Sequence, residues 1–249
     1  MRKVVFVMPI FNEVEGINDF ISEIHDATRD SLSVRFLCID DHSTDNSAKV
    51  LEQLSRKLDL TYFTNEVNMG HGPSTLIGLR KSLTEDCDFI LALDGDGQIS
   101  GQDLLLMSQF ALNNTQLDII EGVRKSRKDP AYRKIVSGFT RIIVKQRSRI
   151  KPIDANTPFR VYKPEVLKRI LMYVPDNSSI PNLHISTISR ILKLNVAEIE
   201  ITSLPRRGST TIGTMWRSKS VRLPSKRFIQ FCISSALEWH RTSPPLAPK

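Results

Sequence analysis

Two periods of apolar residues run through the first half of the chain. Val4–Ile10 is an unbroken apolar run of strand length, and Glu15–Ala27 then places Ile17, Phe20, Ile21 and Ile24 at helical spacing. Val34–Ile39 predicts a second strand, closed by the polar turn Asp40-Asp41-His42-Ser43. The acceptors Ser43–Asp45 open a helix expected over Asp45–Leu58. Next come a strand over Leu60–Thr64, a glycine-rich entry at Gly70–Gly72 into a helix through Ser82, and a strand over Phe89–Leu93. That strand ends in Asp94-Gly95-Asp96-Gly97, before a helix over Gln102–Asn113 and a short strand over Asp118–Gly122. Strands alternating with helices predict an α/β fold with a mostly parallel central sheet flanked by helices. Ligands bind such sheets off the carboxyl ends of the strands. Asn12-Glu13, Asp40-Asp41 and Asp94/Asp96 all stand at those ends.

The second half is less regular. Tyr132–Ile150 predicts a helix with Ile135, Phe139, Ile142 and Ile143 on one side and basic residues elsewhere. A strand over Phe159–Tyr162, helices over Pro164–Met172 and Leu183–Leu194, a strand over Ala197–Ile201 and a loop over Arg206–Arg222 are expected. Pro224–Arg241 carries Phe228, Ile229, Phe231, Cys232, Ile233, Leu237 and Trp239, and suits either a last core helix or a membrane-surface contact. No repeat or linker interrupts the chain. The expected organisation is one catalytic body over residues 1–225, a C-terminal helix over 226–242 and a Pro-rich disordered tail over 243–249.

Charge alters this picture. The 249 residues carry 35 Lys+Arg against 27 Asp+Glu, a net charge of +8, and 40% hydrophobic residues argue against disorder. Residues 124–151 hold 11 basic residues and one acid, Asp129, while 206–227 hold 7 basic residues and no acid. The remainder carries 17 basic and 26 acidic residues, so the chain is an acidic body with two basic segments. Such segments suit an anionic partner: phosphate, nucleic acid or an anionic membrane surface. A solvated helix face is the alternative. Three cysteines, Cys38, Cys87 and Cys232, rule out a disulfide framework, and none forms a C-x-x-C pair, which suggests a reducing compartment. No apolar run approaches the roughly 18 residues of a spanning helix. Arg2-Lys3 and the run after it imitate a secretion signal. No small-residue cleavage site follows before Asn12-Glu13, so a buried strand is expected.

The polar strand ends carry the candidate chemistry. Alternate residues of an extended turn project the same way, so Asp94 and Asp96 can face one cation. Gln98 adds a third oxygen donor, a set suited to Mg²⁺ or Mn²⁺. Asp40 and Asp41 supply acceptors for a sugar hydroxyl or a base edge; a helix-capping Asx turn is the alternative, a role Asp45 can fill. Asn68–Gly72 is glycine-rich but is neither a P-loop nor a dinucleotide fingerprint, and His71 alone carries no ligand argument. No G-x-S-x-G elbow or zinc-ligand spacing occurs. The cysteines lie in apolar stretches that favour burial.

In order, the chain carries P-x-F-N-E (Pro9–Glu13), I-D-D-x-S-T-D (Ile39–Asp45), N-x-G-x-G (Asn68–Gly72) and D-x-D-x-Q (Asp94–Gln98). This series resembles the family-2 glycosyltransferases, whose GT-A fold is Rossmann-like and binds nucleotide sugars. Within that family the chain looks most like dolichyl-phosphate mannose synthases and bacterial polyprenyl-phosphate glycosyltransferases. Gly122-Val123-Arg124 matches their G-x-R, and Arg133–Ser137 their R-x-x-x-S. Asp154 with Phe159–Tyr162 resembles their D-x-x-x-G-F-R-L-Y, and Arg206–Thr210 their R-x-G-x-S-K. The chain departs from the pattern at His42 and Pro158, both in place of glycine, at Gly97 in place of an apolar residue, and at Thr210 in place of lysine.

The resemblance implies an inverting hexosyl transfer from a nucleoside diphosphate sugar. Donor contacts fall on Pro9, Asn12, Glu13, Asp40, Asp41, Gly70, Asp94 and Asp96, with Asp41 and Asp40 toward the nucleoside. Asp94, Asp96 and Gln98 hold the Mg²⁺ or Mn²⁺, and Arg207 helps neutralise the leaving diphosphate. Arg124, Arg133 and Ser137 match acceptor-phosphate contacts, and Asp154 is a base or an orienting residue, completing a catalytic set with Asp96 and Arg207. A sugar-hydroxyl acceptor needs a base, whereas a lipid phosphate needs cations. Between 155 and 197 the only acids are Glu165 and Asp176, which favours the polyprenyl phosphate. The alternative is a soluble glycosyltransferase acting on a sugar hydroxyl in polysaccharide or glycolipid synthesis. Acidic strand ends are unexplained in a nucleic-acid module, so no nucleic acid is expected. The expected location is the cytoplasmic membrane face in cell-envelope polysaccharide synthesis, held peripherally by basic residues worth about 1 kcal/mol each. A membrane-spanning partner subunit is the other route to the bilayer.

Overall fold

The computed structural model describes residues 1–125, 131–208 and 226–242, apart from the side chains of Lys125 and residues 131–134. In chain order the elements are β1 (Arg2–Ile10), α1 (Ile17–Thr28), β2 (Leu32–Asp40), α2 (Ser47–Ser55), β3 (Leu60–Thr64), α3 (His71–Ser82), β4 (Phe89–Ala92) and α4 (Gly101–Asn113). They continue with β5 (Ile119–Lys125), α5 (Ala131–Ser148), β6 (Arg160–Tyr162), α6 (Pro164–Leu171), α7 (Pro181–Ile191), β7 (Val196–Thr202) and α8 (Lys226–Arg241). The strands form one sheet in the order β3-β2-β1-β4-β6-β5-β7. All pairings are parallel except those of β6, which runs against β4 and β5. The expected mostly parallel α/β sheet is therefore present.

Burial on both faces explains the unbroken apolar run of β1. Val4, Phe6, Met8 and Ile10 point to the layer containing Phe20, Ile21 and Ile24 of α1, Leu51 and Leu54 of α2, and Leu104 and Met107 of α4. Val5 and Val7 point the other way, onto Leu76 and Leu79 of α3, Leu167 and Ile170 of α6, and Ile185 and Ile188 of α7. A strand with side chains of period two and a helix layer on each face needs apolar residues at every position.

Several boundaries differ from the sequence expectation. α2 ends at Ser55 rather than Leu58, because the amides of Lys57 and Leu58 both turn back to the Leu54 carbonyl. α7 begins at Pro181, where a proline in the first turn forgoes an amide that would have no helical partner. The apolar side of α5 splits. Ile143 and Val144 join Ala155, Ile180, Leu183 and Trp239 in a third apolar cluster. Ile135, Phe139 and Ile142 stay 71%, 59% and 50% exposed. α8 splits likewise: Phe228 and Trp239 are buried, while Ile229, Ile233 and Leu237 face solvent. No helix among the described residues is long and apolar enough to cross a membrane. Residues 209–225, from the expected loop, and the tail 243–249 lie outside the described residues.

A buried ion cluster joins β5, β6 and α7. The Glu121 carboxylate accepts from Arg160 Nε at 2.9 Å and Arg190 Nη2 at 2.8 Å, and neither Glu121 nor Arg160 is exposed. Arg160 also donates to the carbonyls of Thr157 (2.6 Å) and Ala155 (3.4 Å) and to Asn182 Oδ1 (2.8 Å). Burial works against the Glu121 carboxylate, but Arg160 and Arg190 outweigh it and hold its pKa below the ordinary range. Glu121→Ala, which strands two buried guanidinium groups, should cost about 3–5 kcal/mol in urea unfolding. In the wild type this contribution is complete above about pH 4.3, the ordinary Glu value, and is lost as pH falls below it. A loss in the variant of less than about 1 kcal/mol would show the cluster to be dispensable.

Candidate active site

Parallel strands bring their carboxyl ends to one edge, and the antiparallel β6 sends the loop before it to the same edge. β1 leads there into Asn12, which takes a left-handed φ of 55°. The turn after β2 stitches this segment in place. The amides of Asn12, Glu13 and Val14 donate to Ser43 Oγ (3.0 Å), Ser47 Oγ (2.8 Å) and Asp45 Oδ2 (3.1 Å), and Thr44 N donates to Asn12 Oδ1 at 2.8 Å. Pro9 is a buried strand residue in register with Ile39.

Asp41 is a structural clamp. Its buried carboxylate accepts from Asn65 Nδ2 (2.9 Å) and from the amides of Met69 (2.8 Å) and Gly70 (2.8 Å), closing the loop that enters α3. Its neighbour Asp40 is fully buried and accepts from Ser43 N at 3.2 Å through Oδ1. Oδ2 of Asp40 has no partner among the described residues. His42, where the resembling family carries glycine, holds φ at 59°. A left-handed non-glycine residue costs roughly 1–2 kcal/mol. The imidazole, 3.2 Å from the Asn65 carbonyl, offsets part of that.

Asp94 follows β4, with its Oδ1 2.7 Å from His71 Nε2. Asp96 Oδ1 accepts from the Gln98 amide at 3.2 Å, and Gln98 Nε2 lies 3.5 Å from the Leu204 carbonyl. Gly97 takes φ 70°, and a Cβ there would stand 2.5 Å from Arg207 Cδ, which accounts for glycine in place of an apolar residue. Negative charge is concentrated at this point. Burial and the neighbouring Asp94 raise the Asp96 pKa. Burial, reinforced by Asp96 and Asp94, pushes Glu13 up to about 8 even though Arg206 opposes it. Partial withdrawal from water works against the charge of the half-exposed His71 ring, but Asp94, Asp96 and Asp41 outweigh it and raise its pKa. Crowded carboxylates with an amide oxygen beside them suit a hard divalent cation. No group of three His, Cys, Asp or Glu that could hold a metal ion forms among the described residues.

A strap over residues 203–208 crosses this motif, fixed by Leu204 N to Gln98 O (2.9 Å) and Arg207 N to Asp96 O (3.0 Å). Its two arginines diverge. The Arg207 guanidinium lies over the Phe20 ring and pairs with Glu23 on α1. Arg206 pairs with Glu13 at 2.5 Å, and its buried Nε has no partner among the described residues. Arg124, at the end of β5, reaches Asp154 Oδ2 through Nε (2.9 Å) and Nη2 (2.8 Å), and both side chains are largely covered. Ser137 lies in the second turn of α5, where its carbonyl accepts from Thr140. The Arg133 side chain and Thr210 lie outside the described residues. Pro158 is buried in the loop that Arg160 holds.

Sequence reasoning did not single out His71, Asn65, Glu23 or Arg206. His71 stood in a variable position of a quoted motif. Arg206 was indistinguishable from Arg207 until Glu13 and Glu23 were seen to draw them to different places.

Residues 5–171 match the family described as Glycosyl transferase family 2. An uncharacterized protein of Methanocaldococcus jannaschii is 27% identical over 173 residues, covering 66% of this chain and 73% of that protein. The undecaprenyl-phosphate 4-deoxy-4-formamido-L-arabinose transferase of Proteus mirabilis is 24% identical over 203 residues, covering 80% of this chain. This chain spans only 61% of the length of that transferase. Among solved structures, glucosyl-3-phosphoglycerate synthase of Mycobacterium tuberculosis with Mn²⁺ and uridine-diphosphate-glucose superposes with a TM-score of 0.65 at 12% identity. That match covers 98% of this chain and 80% of that one, and it shows the expected GT-A fold.

Asp41→Ala would leave the Asn65, Met69 and Gly70 donors without their acceptor. The expected cost is about 1–3 kcal/mol of stability. Proteolytic cleavage within 65–70 should accelerate. Wild-type stability and cleavage rate in the variant would show that the clamp does not hold the loop.

Proposed function

The chain belongs to glycosyl transferase family 2, and on that footing we propose an inverting, metal-dependent transfer of a hexose from a nucleoside diphosphate sugar to a polyprenyl phosphate of dolichyl type. The observation that carries the choice of acceptor is the Arg124–Asp154 pair. A sugar hydroxyl must lose a proton in the reaction and needs a carboxylate to take it. Asp154, the carboxylate expected on the acceptor side, is engaged by Arg124, so it orients a cation rather than waiting as a base. A phosphate monoester carries its own negative charge and needs what Arg124 provides. The undecaprenyl-phosphate transferase of Proteus mirabilis supports the same choice.

The donor lies across the carboxyl ends of β1, β2 and β4. The Asp40 oxygen without a partner accepts from the nucleoside, and Asp41 keeps the loop beneath it closed. Asn12, Glu13 and Gly70 line this donor region. Asp94, Asp96 and Gln98 hold a Mg²⁺ or Mn²⁺ ion, which supplies Lewis-acid neutralisation of the diphosphate. Arg206 contributes the protein cation nearest Glu13 and Asp96, and its vacant Nε–H donates to a phosphate oxygen as charge develops there. Arg207 fastens the strap to α1. The acceptor phosphate, held by Arg124 with Arg133 and Ser137, attacks C1 from the face opposite the diphosphate.

The acceptor is a membrane lipid, and the protein docks peripherally on the cytoplasmic face. The exposed Ile135, Phe139 and Ile142 of α5 and Ile229, Ile233 and Leu237 of α8 enter the interface beside basic residues. A membrane-spanning partner covering the same residues is the other arrangement.

Transfer from radiolabelled nucleotide sugars to a short polyprenyl phosphate tests the reading. Product should form with Mn²⁺, vanish with EDTA, and fall on the order of 10²–10³-fold in Asp96→Ala and Arg206→Ala. Arg207→Ala should fall less than about 10-fold. Transfer to a sugar hydroxyl instead of the lipid phosphate would overturn the acceptor assignment.

A further inference from the structure

α8 is pinned at one end. Glu238 accepts from Ser178 Oγ (2.5 Å), Ser179 Oγ (2.6 Å) and Ser179 N (3.0 Å), and His184 Nε2 lies 3.1 Å away. The adjoining Trp239 ring stacks on His184 at 5.4 Å, with the Arg147 guanidinium over it at 4.1 Å. Burial opposes the Glu238 carboxylate, but hydrogen bonds from His184, Ser178 and Ser179 hold its pKa down to about 2. This is an elaborate fastening for a helix whose other apolar residues, Ile229, Ile233 and Leu237, are about half exposed.

The fastened segment supports the donor site. A Cβ on Gly72, in the first turn of α3, would stand 2.5 Å from the Ser178 carbonyl oxygen and 2.7 Å from the Ser179 backbone. The start of α3 therefore rests directly on the two serines that Glu238 holds. The preceding residue is His71, whose ring meets Asp94 at 2.7 Å and whose carbonyl accepts from Thr75 Oγ1 at 2.8 Å. A continuous path of packed backbone and hydrogen bonds thus runs from α8 to the first carboxylate of the metal motif.

We propose that Glu238 is a positioning residue for the metal site: by fastening Ser178 and Ser179 against Gly72 it sets the start of α3, and through His71 the orientation of Asp94. This rests on the proposed role of Asp94 and Asp96 as metal ligands. Loss of the Glu238 carboxylate lets the 178–179 segment relax from Gly72, and loss of His71 removes the contact it makes with Asp94 directly.

The test is Mn²⁺ binding to the full chain, read by the electron paramagnetic resonance of free Mn²⁺, without sugar transfer. Glu238→Gln keeps the side-chain shape but replaces one acceptor oxygen with a donor. With wild-type circular dichroism, it should weaken Mn²⁺ about 5–10-fold. His71→Ala should weaken it similarly, and the double variant no further, because both act on one path. Gly72→Ala, which leaves Glu238 intact and presses on the serines, should also weaken Mn²⁺. Ser234→Ala, on the exposed side of α8, should leave Mn²⁺ affinity unchanged. Wild-type affinity in Glu238→Gln, or additive losses in the double variant, would overturn the role of Glu238. Binding that Asp96→Ala leaves intact would instead overturn the metal-site reading on which it rests.

Discussion

Like charge is what the carboxyl edge of this sheet must contain. Glu13, Asp40, Asp41, Asp94 and Asp96 are brought together because parallel strands all end on one side. Carboxylates that are partly or wholly withdrawn from water repel strongly unless cations or hydrogen-bond donors face them. The surrounding structure answers this need locally. Amides at the entrance to α3 donate to Asp41, Arg206 faces Glu13, and His71 faces Asp94. What remains is a concentration of negative charge around Asp96 that a divalent cation would balance. The strap over 203–208 and the stitched turn after β2 both exist at this edge and serve the same containment.

The end of β5 holds a cation instead, largely covered and paired. Arg124 is covered on one side by Asp154 and held further by the Asn156 carbonyl at 3.3 Å. The loop that carries both partners is itself anchored from beneath by Arg160. That buried arginine gathers the carbonyls of Ala155 and Thr157 and is balanced by Glu121. A buried charge here organises loop geometry rather than adding stability for its own sake, since apolar packing could supply the latter.

The parallel half of the fold was legible because its signals are local. Runs buried on both faces, helices at their own period and polar closures at strand ends each show within a few residues, as in β1 and α1. The motif order also marked the acidic turn Asp94–Gln98 at the end of β4. What was not legible depends on partners distant in sequence. Arg206 and Arg207 are adjacent and alike, and only Glu13 and Glu23, about 190 residues earlier in the chain, send them apart. Asp41 reads as a ligand group until Asn65 and Gly70 are seen to occupy it. The apolar stripe of α5 has a helical period, but periodicity cannot say whether a stripe faces the core or solvent. Glu238 gave no signal, because its meaning lies in Ser178 and Ser179, some 60 residues away.

The reversed β6 divides the sheet. On one side, β1 to β4 carry the acidic strand ends Asp40, Asp41, Asp94 and Asp96; on the other, β5 carries Arg124 and β7 leads into the strap. Because β6 runs backwards, the connection entering it arrives beside the metal motif instead of at the opposite edge. The segment between α5 and β6 can therefore lengthen, shorten or change composition without disturbing any of the parallel pairings that shape the donor half. The freedom to vary that segment without touching the parallel pairings follows from the direction of a single strand of three residues.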